Sequence, residues 1–299
     1  NRYITLLGDG SLGGKGRGLA FLSNFIENVY LKKLIPDLRV AIPKTAIIGV
    51  DEFDNFLETN NLYDVIFEDK EYDHVLEAFR MARLSDKLRD NLRKYLQVMT
   101  KPLAVRSSGL FEDSLNQPFA GVYSTYLLPN NHPDFERRLE DVENAIKLVF
   151  ASIYSPESRA YFNAIDYMIE EEKMSVIIQE VIGNEHNGRY YPEISGVAQS
   201  YNFYPFSYIQ PEDGFAVTAI GLGAYVVGGE KTHRFSPAYP KLQLASTQDK
   251  IKASQRYFYG IDMLARDYDL YRDGENAAIK AYDISEAEHD GTLEYTASV

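Results

Sequence analysis

The chain has 299 residues, 45% of them apolar, which is enough to bury one large core or two modest ones and excludes a disordered class. Its net charge of −13, from 31 basic and 44 acidic residues, argues against nucleic acid and anionic membrane surfaces as partners, and no local basic patch offsets it. Cysteine is absent, so disulfides, a thiolate nucleophile and cysteine-ligated metal are excluded, and no apolar run approaches the roughly 18 residues of a membrane span. A reducing compartment, the cytoplasm, is the expected setting. The first residue is Asn1 rather than methionine, and the chain closes on "LEYTASV", an alternating strand-like run, so a piece of a longer protein is expected.

Residues 7–18 read "LGDGSLGGKGRG", six glycines with Lys15 among them. Glycine at that density is kept where φ must be positive or where a ligand must approach the main chain. Gly8, Gly10 and Gly13 match G-x-G-x-x-G after the apolar "YITLL", the dinucleotide fingerprint. That fingerprint wants an acid at the end of the second strand, whereas Asp37 in "LIPDLRV" precedes one. A Walker A loop fails too, because Asp9 stands six before Lys15 and Gly16 follows it where a hydroxyl should be. What remains is G-G-K-G at the start of a helix carrying Leu19, Leu22, Phe25, Ile26, Val29 and Tyr30 at helical spacing. A backbone nest with a point charge at a helix N-terminus suits a polyphosphate.

Further along, "RVAIPKTAIIGV" reads as two short strand segments broken at Pro43, and Asp51 as the N-cap of "EFDNFLET". A charge-rich helical stretch covers residues 71–98. "PLAVRSSG" (102–109) and "GVYSTYLL" (121–128) read as a hairpin, and 134–153 and 156–168 as helices, the second opening on Pro156. Strands are expected at "MSVIIQEVI", "EISGVAQSYNFY" and "FAVTAIGLG", and the polar, acidic tail from Ser246 carries a helical pattern around "IKASQRYFYGIDMLARDY". Helices and strands interleave without a helix between most strands, which predicts an α+β fold with mixed or antiparallel sheets. The five histidines, at 74, 132, 186, 233 and 289, show no metal-ligand spacing.

"AVRSSGLFEDSLNQPFAGVYSTYLL" (104–128) resembles the N-terminal nucleotide-binding domain of the pyruvate phosphate dikinase and phosphoenolpyruvate synthase family. Val105, Arg106, Ser107, Ser108, Glu112, Asp113, Phe119, Ala120, Gly121 and Thr125 fit its pattern, with Pro118 in place of the usual serine. "GGKGRGLAFL", "IPKTAIIGVDEFDNFL", "MSVIIQEVIG", "ISGVAQS" and "IGLGAYVVGGE" are similar to its other segments, in the same order, over about residues 7–230. The resemblance implies an ATP-grasp-like, two-lobed fold whose nucleotide phosphorylates a histidine on a separate swivelling domain. It implies a nucleotide-binding domain over residues 1–245, with lobes of roughly 1–105 and 106–245, and an incomplete C-terminal helical and polar segment over 246–299.

By the same resemblance Lys15 and Arg106 would be the catalytic contacts to the ATP phosphates, where the reaction needs positive charge on the β and γ oxygens. Gly13, Gly14, Gly121 and Thr125 would line the phosphates, and Gln179, Glu180 and Ile182 would read adenine. Arg106 has a structural alternative, an ion pair with Glu112 or Asp113, and Ser107 and Ser108 could cap a turn. The family's late acidic strand and Q-x-R strand, which hold Mg2+, have no counterpart in the sequence, nor does its phosphohistidine loop, and Ala224 replaces a usual glutamate. A C-terminally truncated domain, with magnesium ligands beyond this chain, is therefore expected. Two other readings stay open: a degenerate module serving as sensor or scaffold, and an NAD-binding domain resting on Gly8, Gly10 and Gly13 alone.

Overall fold

The computed structural model describes residues 3–28, 35–67, 71–109, 112, 121–205, 207–230, 232–242, 246, 248, 251–252 and 254–293. The chain forms two compact units, one of Asn1–Val181 with Ala265–Ala278, the other of Ile182–Leu264 with Ile279–Val299. Asp113, Pro118, Phe119, Ala120, Val29, Tyr30 and most of the terminal "LEYTASV" lie outside the described residues.

Unit 1 is built on β1 (Ile4–Leu6), α1 (Gly13–Asn28), β2 (Thr45–Ile48), α2 (Val50–Thr59), α3 (Tyr63–Phe67), α4 (Tyr72–Met81), α5 (Asp86–Val98), β3 (Leu103–Gly109), β4 (Thr125–Leu128), α6 (Phe135–Ala151), α7 (Pro156–Ala164) and β5 (Met174–Glu180). The strands form one sheet in the order β1-β2-β5-β3-β4, parallel between β1 and β2 and antiparallel elsewhere. The expected hairpin is β3–β4, with Arg106 opposite Thr125. The lobe boundary expected at 105/106 falls inside β3, whose seven residues pair with β5, and the division into units comes instead after Val181.

One face of this sheet carries Ala46, Ile48, Leu103, Val105, Val176 and Ile178 into the core. The helices meet it with stripes at helical spacing, such as Val50, Phe53, Phe56 and Leu57 of α2. Phe56 sits at 5.4 Å from Phe79 and 5.5 Å from Phe150, ring centre to ring centre, tying α2 to α4 and α6. Helix starts follow local chemistry. Ser85, Asp134 and Ser155 each accept a backbone N–H at the N-terminus of α5, α6 and α7, and Pro156 opens α7. The Ser85 cap splits the helical stretch expected over 71–98 into α4 and α5.

Asp51 is not the cap of α2. The extended Gly49 takes that position, and the helix's free N–H groups are met by the glycine loop, Val50 N donating to Ser11 O at 3.0 Å and Asp51 N to Asp9 O at 3.4 Å. Only Thr45–Ile48 of the two segments expected around Pro43 is a strand. Pro43 has no N–H for a ladder, and its carbonyl accepts from Thr45 Oγ1 at 2.9 Å.

Unit 2 holds β6 (Asn184–His186), β7 (Arg189–Tyr191), β8 (Ser195–Gln199), β9 (Phe215–Ala219), α8 (Ala224–Val227), β10 (His233–Phe235), β11 (Tyr257–Asp262), β12 (Ile279–Asp283) and α10 (Ile284–His289); α9 (Leu270–Asp273) precedes β12 in the chain and belongs to unit 1. Its sheets run β12-β11-β7-β6 and β10-β9-β8, all antiparallel. The helical pattern read around residues 251–268 is overturned: β11 lies there, between β12 and β7. "YFYGI" is aromatic-rich and buries Phe258 and Ile261, which suits a pleated sheet better than a helix. The fold is therefore α+β with one mixed and two antiparallel sheets among the described residues.

Asp290, its side chain fully buried, closes unit 2 by accepting from Arg189 Nη2 at 2.8 Å, Asn187 Nδ2 at 2.8 Å and Tyr191 Oη at 2.7 Å. Burial alone would raise its pKa, but the bonds from Arg189, Tyr191 and Asn187 outweigh that and hold it below the usual carboxylate value. A carboxylate with a depressed folded-state pKa contributes stability above its unfolded pKa of about 4 and loses it as pH falls through the folded value. Asp290→Asn should therefore cost about 2–4 kcal/mol at pH 7. In thermal melts the gap between variant and parent should shrink below about pH 4; a gap independent of pH would show that the charge is not what matters.

Candidate functional site

The second half of the glycine loop is the start of α1. Gly13 lies at φ +68, and a Cβ there would come within 1.9 Å of Ser108 O. Ser108, on β3, donates from Oγ to Leu12 O at 2.9 Å and accepts from Gly16 N at 3.0 Å. A Cβ on Gly16 would sit 3.5 Å from Ile47 Cδ1, so α1 meets the sheet through its glycines. Its expected apolar stripe is largely turned outward, with Leu22 at 46% and Phe25 at 51% exposure. The first half of the loop serves α2 instead. Gly10, at φ +92, has its missing Cβ within 2.1 Å of Asp51 Oδ1, and that of Gly8 would come within 2.7 Å of Glu52 Cγ. Gly8 and Gly10 of the dinucleotide pattern are thus packing positions against α2.

Lys15 is the third residue of α1. Its ammonium pairs with Glu112 and lies 3.4 Å from Ser107 O and 3.5 Å from Ser107 Oγ, across 92 residues of sequence. Glu112, 4% exposed at its side chain, also accepts from Ser107 Oγ at 2.9 Å and from Gly109 N at 3.2 Å. Arg106 precedes Ser107 on β3, is half-buried, and forms no ion pair among the described residues. The structural alternative for Arg106, a pair with Glu112, is not what forms; Glu112 belongs to Lys15.

Strand pairing sets which side chains accompany Arg106. Residues directly opposite share a face, and faces alternate along each strand. Thr125 and Ile177 flank Arg106, and two residues on, Gln179 and Thr45 share its face, with Gln179 Nε2 donating to Thr45 Oγ1 at 3.0 Å. Thr125 N donates to Glu275 Oε1 at 3.2 Å. Glu180 falls on the opposite face from Gln179 and is engaged by Lys101 Nζ at 3.1 Å. Ile182 is exposed and is the first residue of unit 2. Gly121 lies at φ +82 with open space where a Cβ would be.

The expected phosphate residues Gly13, Gly14 and Lys15 are thus brought to the end of the strand that carries Arg106 opposite Thr125. Sequence reasoning missed the role of Ser108 as the tie to α1 and of Glu112 as the partner of Lys15; the V-R-S-S and E-D motif letters marked both, without showing whom they bind. Elsewhere in unit 1 a cavity of about 530 Å³ includes Arg80, Arg89, Glu143 and Lys147 in its lining and none of these residues, and its charges largely satisfy one another, as in the 2.6 Å Arg89–Glu143 pair. Among the described residues no group of three or more His, Asp or Glu side chains could hold a metal ion, and no helix is long and apolar enough to cross a membrane.

Gly13→Ala should destabilise the chain by upwards of about 2 kcal/mol, since strain at positive φ adds to a backbone clash. Gly121→Ala, with the strain but no clash, should cost about 1 kcal/mol. Denaturant unfolding monitored on unit 1 checks this; equal losses would mean that the contact of Gly13 with Ser108 is not tight.

Residues 9–267 match the family model described as "Pyruvate phosphate dikinase, AMP/ATP-binding domain". An uncharacterized phosphotransferase, YvkC, of Bacillus subtilis (strain 168) is 27% identical over 194 residues, covering 64% of this chain and 20% of that protein. The phosphoenolpyruvate synthase of Aeropyrum pernix is 26% identical over 163 residues, 54% of this chain and 17% of its own length. That of Deinococcus radiodurans is 29% identical over 180 residues, 58% of this chain and 20% of its own. The matched segments thus span about a fifth of these relatives.

Proposed function

The chain belongs to the pyruvate phosphate dikinase AMP/ATP-binding domain family, and from that premise we propose that it is the ATP-binding part of a phosphoenolpyruvate synthase or dikinase type phosphotransferase. The carrying observation is that Lys15, from the glycine loop, reaches Ser107, the neighbour of Arg106 on β3. Two cations from motifs far apart in sequence are thus associated with one strand, Arg106 within β3 and Lys15 held against it at Ser107. Phosphoryl transfer is served chiefly by positioning and by positive charge on the phosphate oxygens. Arg106 would give a planar, two-pronged contact and Lys15 a point charge, with N–H groups at the start of α1 and at Gly121 lining the phosphates. Gln179, Glu180 and Ile182 would meet adenine.

The reading extends to an ATP-grasp-like domain truncated at its C-terminus, in a cytoplasmic protein. Its phosphoryl acceptor would be a histidine on a swivelling domain outside this chain. Among the described residues no group of three or more His, Asp or Glu side chains could hold a metal ion, and the steps assigned to this chain are nucleotide binding and charge neutralisation by Lys15 and Arg106. We place the magnesium ligands outside residues 1–299. A second reading, a module that keeps the fold without the reaction, is favoured by Ala224, where the family resemblance implies a glutamate; α8 begins at that residue.

Calorimetry tests the two. ATP should bind the chain, and Lys15→Ala and Arg106→Ala should each weaken it roughly tenfold or more, the worth of one charge-assisted hydrogen bond. No binding by the parent chain would favour the second reading, and unchanged affinity in both variants would overturn the site. The chain alone should not turn over ATP, and robust hydrolysis would overturn the need for an acceptor domain.

A further inference from the structure

We propose that Glu112 is the positioning residue for Lys15, acting on the nucleotide only through that ammonium. This rests on Lys15 being a phosphate contact, and it adds a residue whose role neither the fold nor the family name assigns.

Three observations converge on it. Glu112 is 4% exposed at its side chain, and a carboxylate so buried is tolerated only when its charge is met. Its Oε1 takes Lys15 and Ser107 Oγ, and its Oε2 takes Gly109 N, so its hydrogen bonds among the described residues are directed to α1 and to the end of β3. A phosphate would be repelled by this carboxylate, which excludes Glu112 as a direct phosphate contact.

Lys15, by contrast, keeps capacity for a ligand. Its side chain is 27% exposed, and among the described residues its remaining N–H groups, beyond the Glu112 bond, reach only Ser107 O and Oγ, at 3.4 and 3.5 Å. These are long for hydrogen bonds, and a phosphate oxygen can displace them without breaking the ion pair. The backbone of α1 is fixed separately through Ser108, leaving the four-carbon stem of Lys15 as the mobile part. A lysine stem is rich in rotamer freedom, and Glu112 removes much of it before nucleotide arrives. Protein kinases use the same physical logic when a glutamate on a helix holds the phosphate-binding lysine.

The test compares ATP with AMP, which offers no β or γ phosphate, across the parent chain, Glu112→Gln, Lys15→Ala and the double variant. Glu112→Gln should weaken ATP about tenfold and AMP less than about twofold, and Lys15→Ala/Glu112→Gln should bind ATP no worse than Lys15→Ala, because residues acting through one another are not additive. Equal losses for ATP and AMP, additive losses in the double variant, or tighter ATP binding by Glu112→Gln would each overturn the proposal. So would unchanged ATP affinity in Glu112→Gln when Lys15→Ala has lost it, an outcome that leaves the proposed function standing. No loss in Lys15→Ala would instead bring down the phosphate role of Lys15 itself. Should Glu112→Gln fail to fold, Glu112→Asp carries the same comparison: a loss confined to ATP supports the proposal and an equal loss overturns it.

Discussion

The arrangement of the site depends on one serine. Ser108 Oγ donates to the carbonyl of Leu12 and accepts the amide of Gly16, bridging the entry of α1 from both sides of Gly13. Backbone groups at a helix N-terminus lack partners within the helix, so a side chain that satisfies one of them fixes where the helix begins. Because that side chain is on β3, the start of α1 is registered against the strand that carries Arg106. The bond needs close approach, and Gly13 permits it by having no Cβ to collide with Ser108 O.

From that register follows a difference between the two cations. Lys15 is met by a nearly buried carboxylate, whereas Arg106 is half-buried without an ion pair among the described residues. A guanidinium is planar and always charged, so a strand position aims it adequately; an ammonium on a flexible stem gains more from a tether. The strand supplies direction to one cation and Glu112 supplies it to the other. The neighbouring face is polar only locally: Thr125 lies beside Arg106, and Gln179 with Thr45 lies one pair further along, while Ile47 and Ile177 fill the positions between and are buried.

Much of this was legible in the sequence where one local rule decided the outcome. The hairpin of "PLAVRSSG" and "GVYSTYLL", the strand at "MSVIIQE", and the helices begun at Asp134 and Pro156 all follow from turn chemistry, branched residues and caps. Where two rules competed, pattern reading failed. "RYFYGIDML" satisfied a helical spacing, yet its aromatic residues pair with β7 and β12, a long-range demand that outweighs local period. The apolar positions of α1 suggested the buried side of the helix, but the sheet takes the glycine side. Asp51 resembled a cap by type and place, and lost that role because carbonyls of the preceding glycine loop reach the same amides. Within the site, the residue types were readable and the pairings were not. Nothing local distinguishes a Glu112 that neutralises Arg106 from one that holds Lys15, since that choice is made by how α1 packs.

The glycine loop shows why a motif match and a physical role can part company. Its six glycines look like one phosphate cradle, but four of them divide between two tasks. Gly8 and Gly10 allow the loop to run against Asp51 and Glu52 of α2, where the carbonyls of Asp9 and Ser11 receive the amides of that helix. Gly13 and Gly16 bring α1 against β3, and Lys15 between them is carried to Ser107. The first task commits carbonyl oxygens to the amides of α2, whereas the second leaves an ammonium and the start of a helix at the sheet's end. The pattern G-x-G-x-x-G spans both tasks and so names neither. In the proposed function the chemistry falls to its last glycine and the three residues after it, which a serine nearly a hundred residues later holds in position.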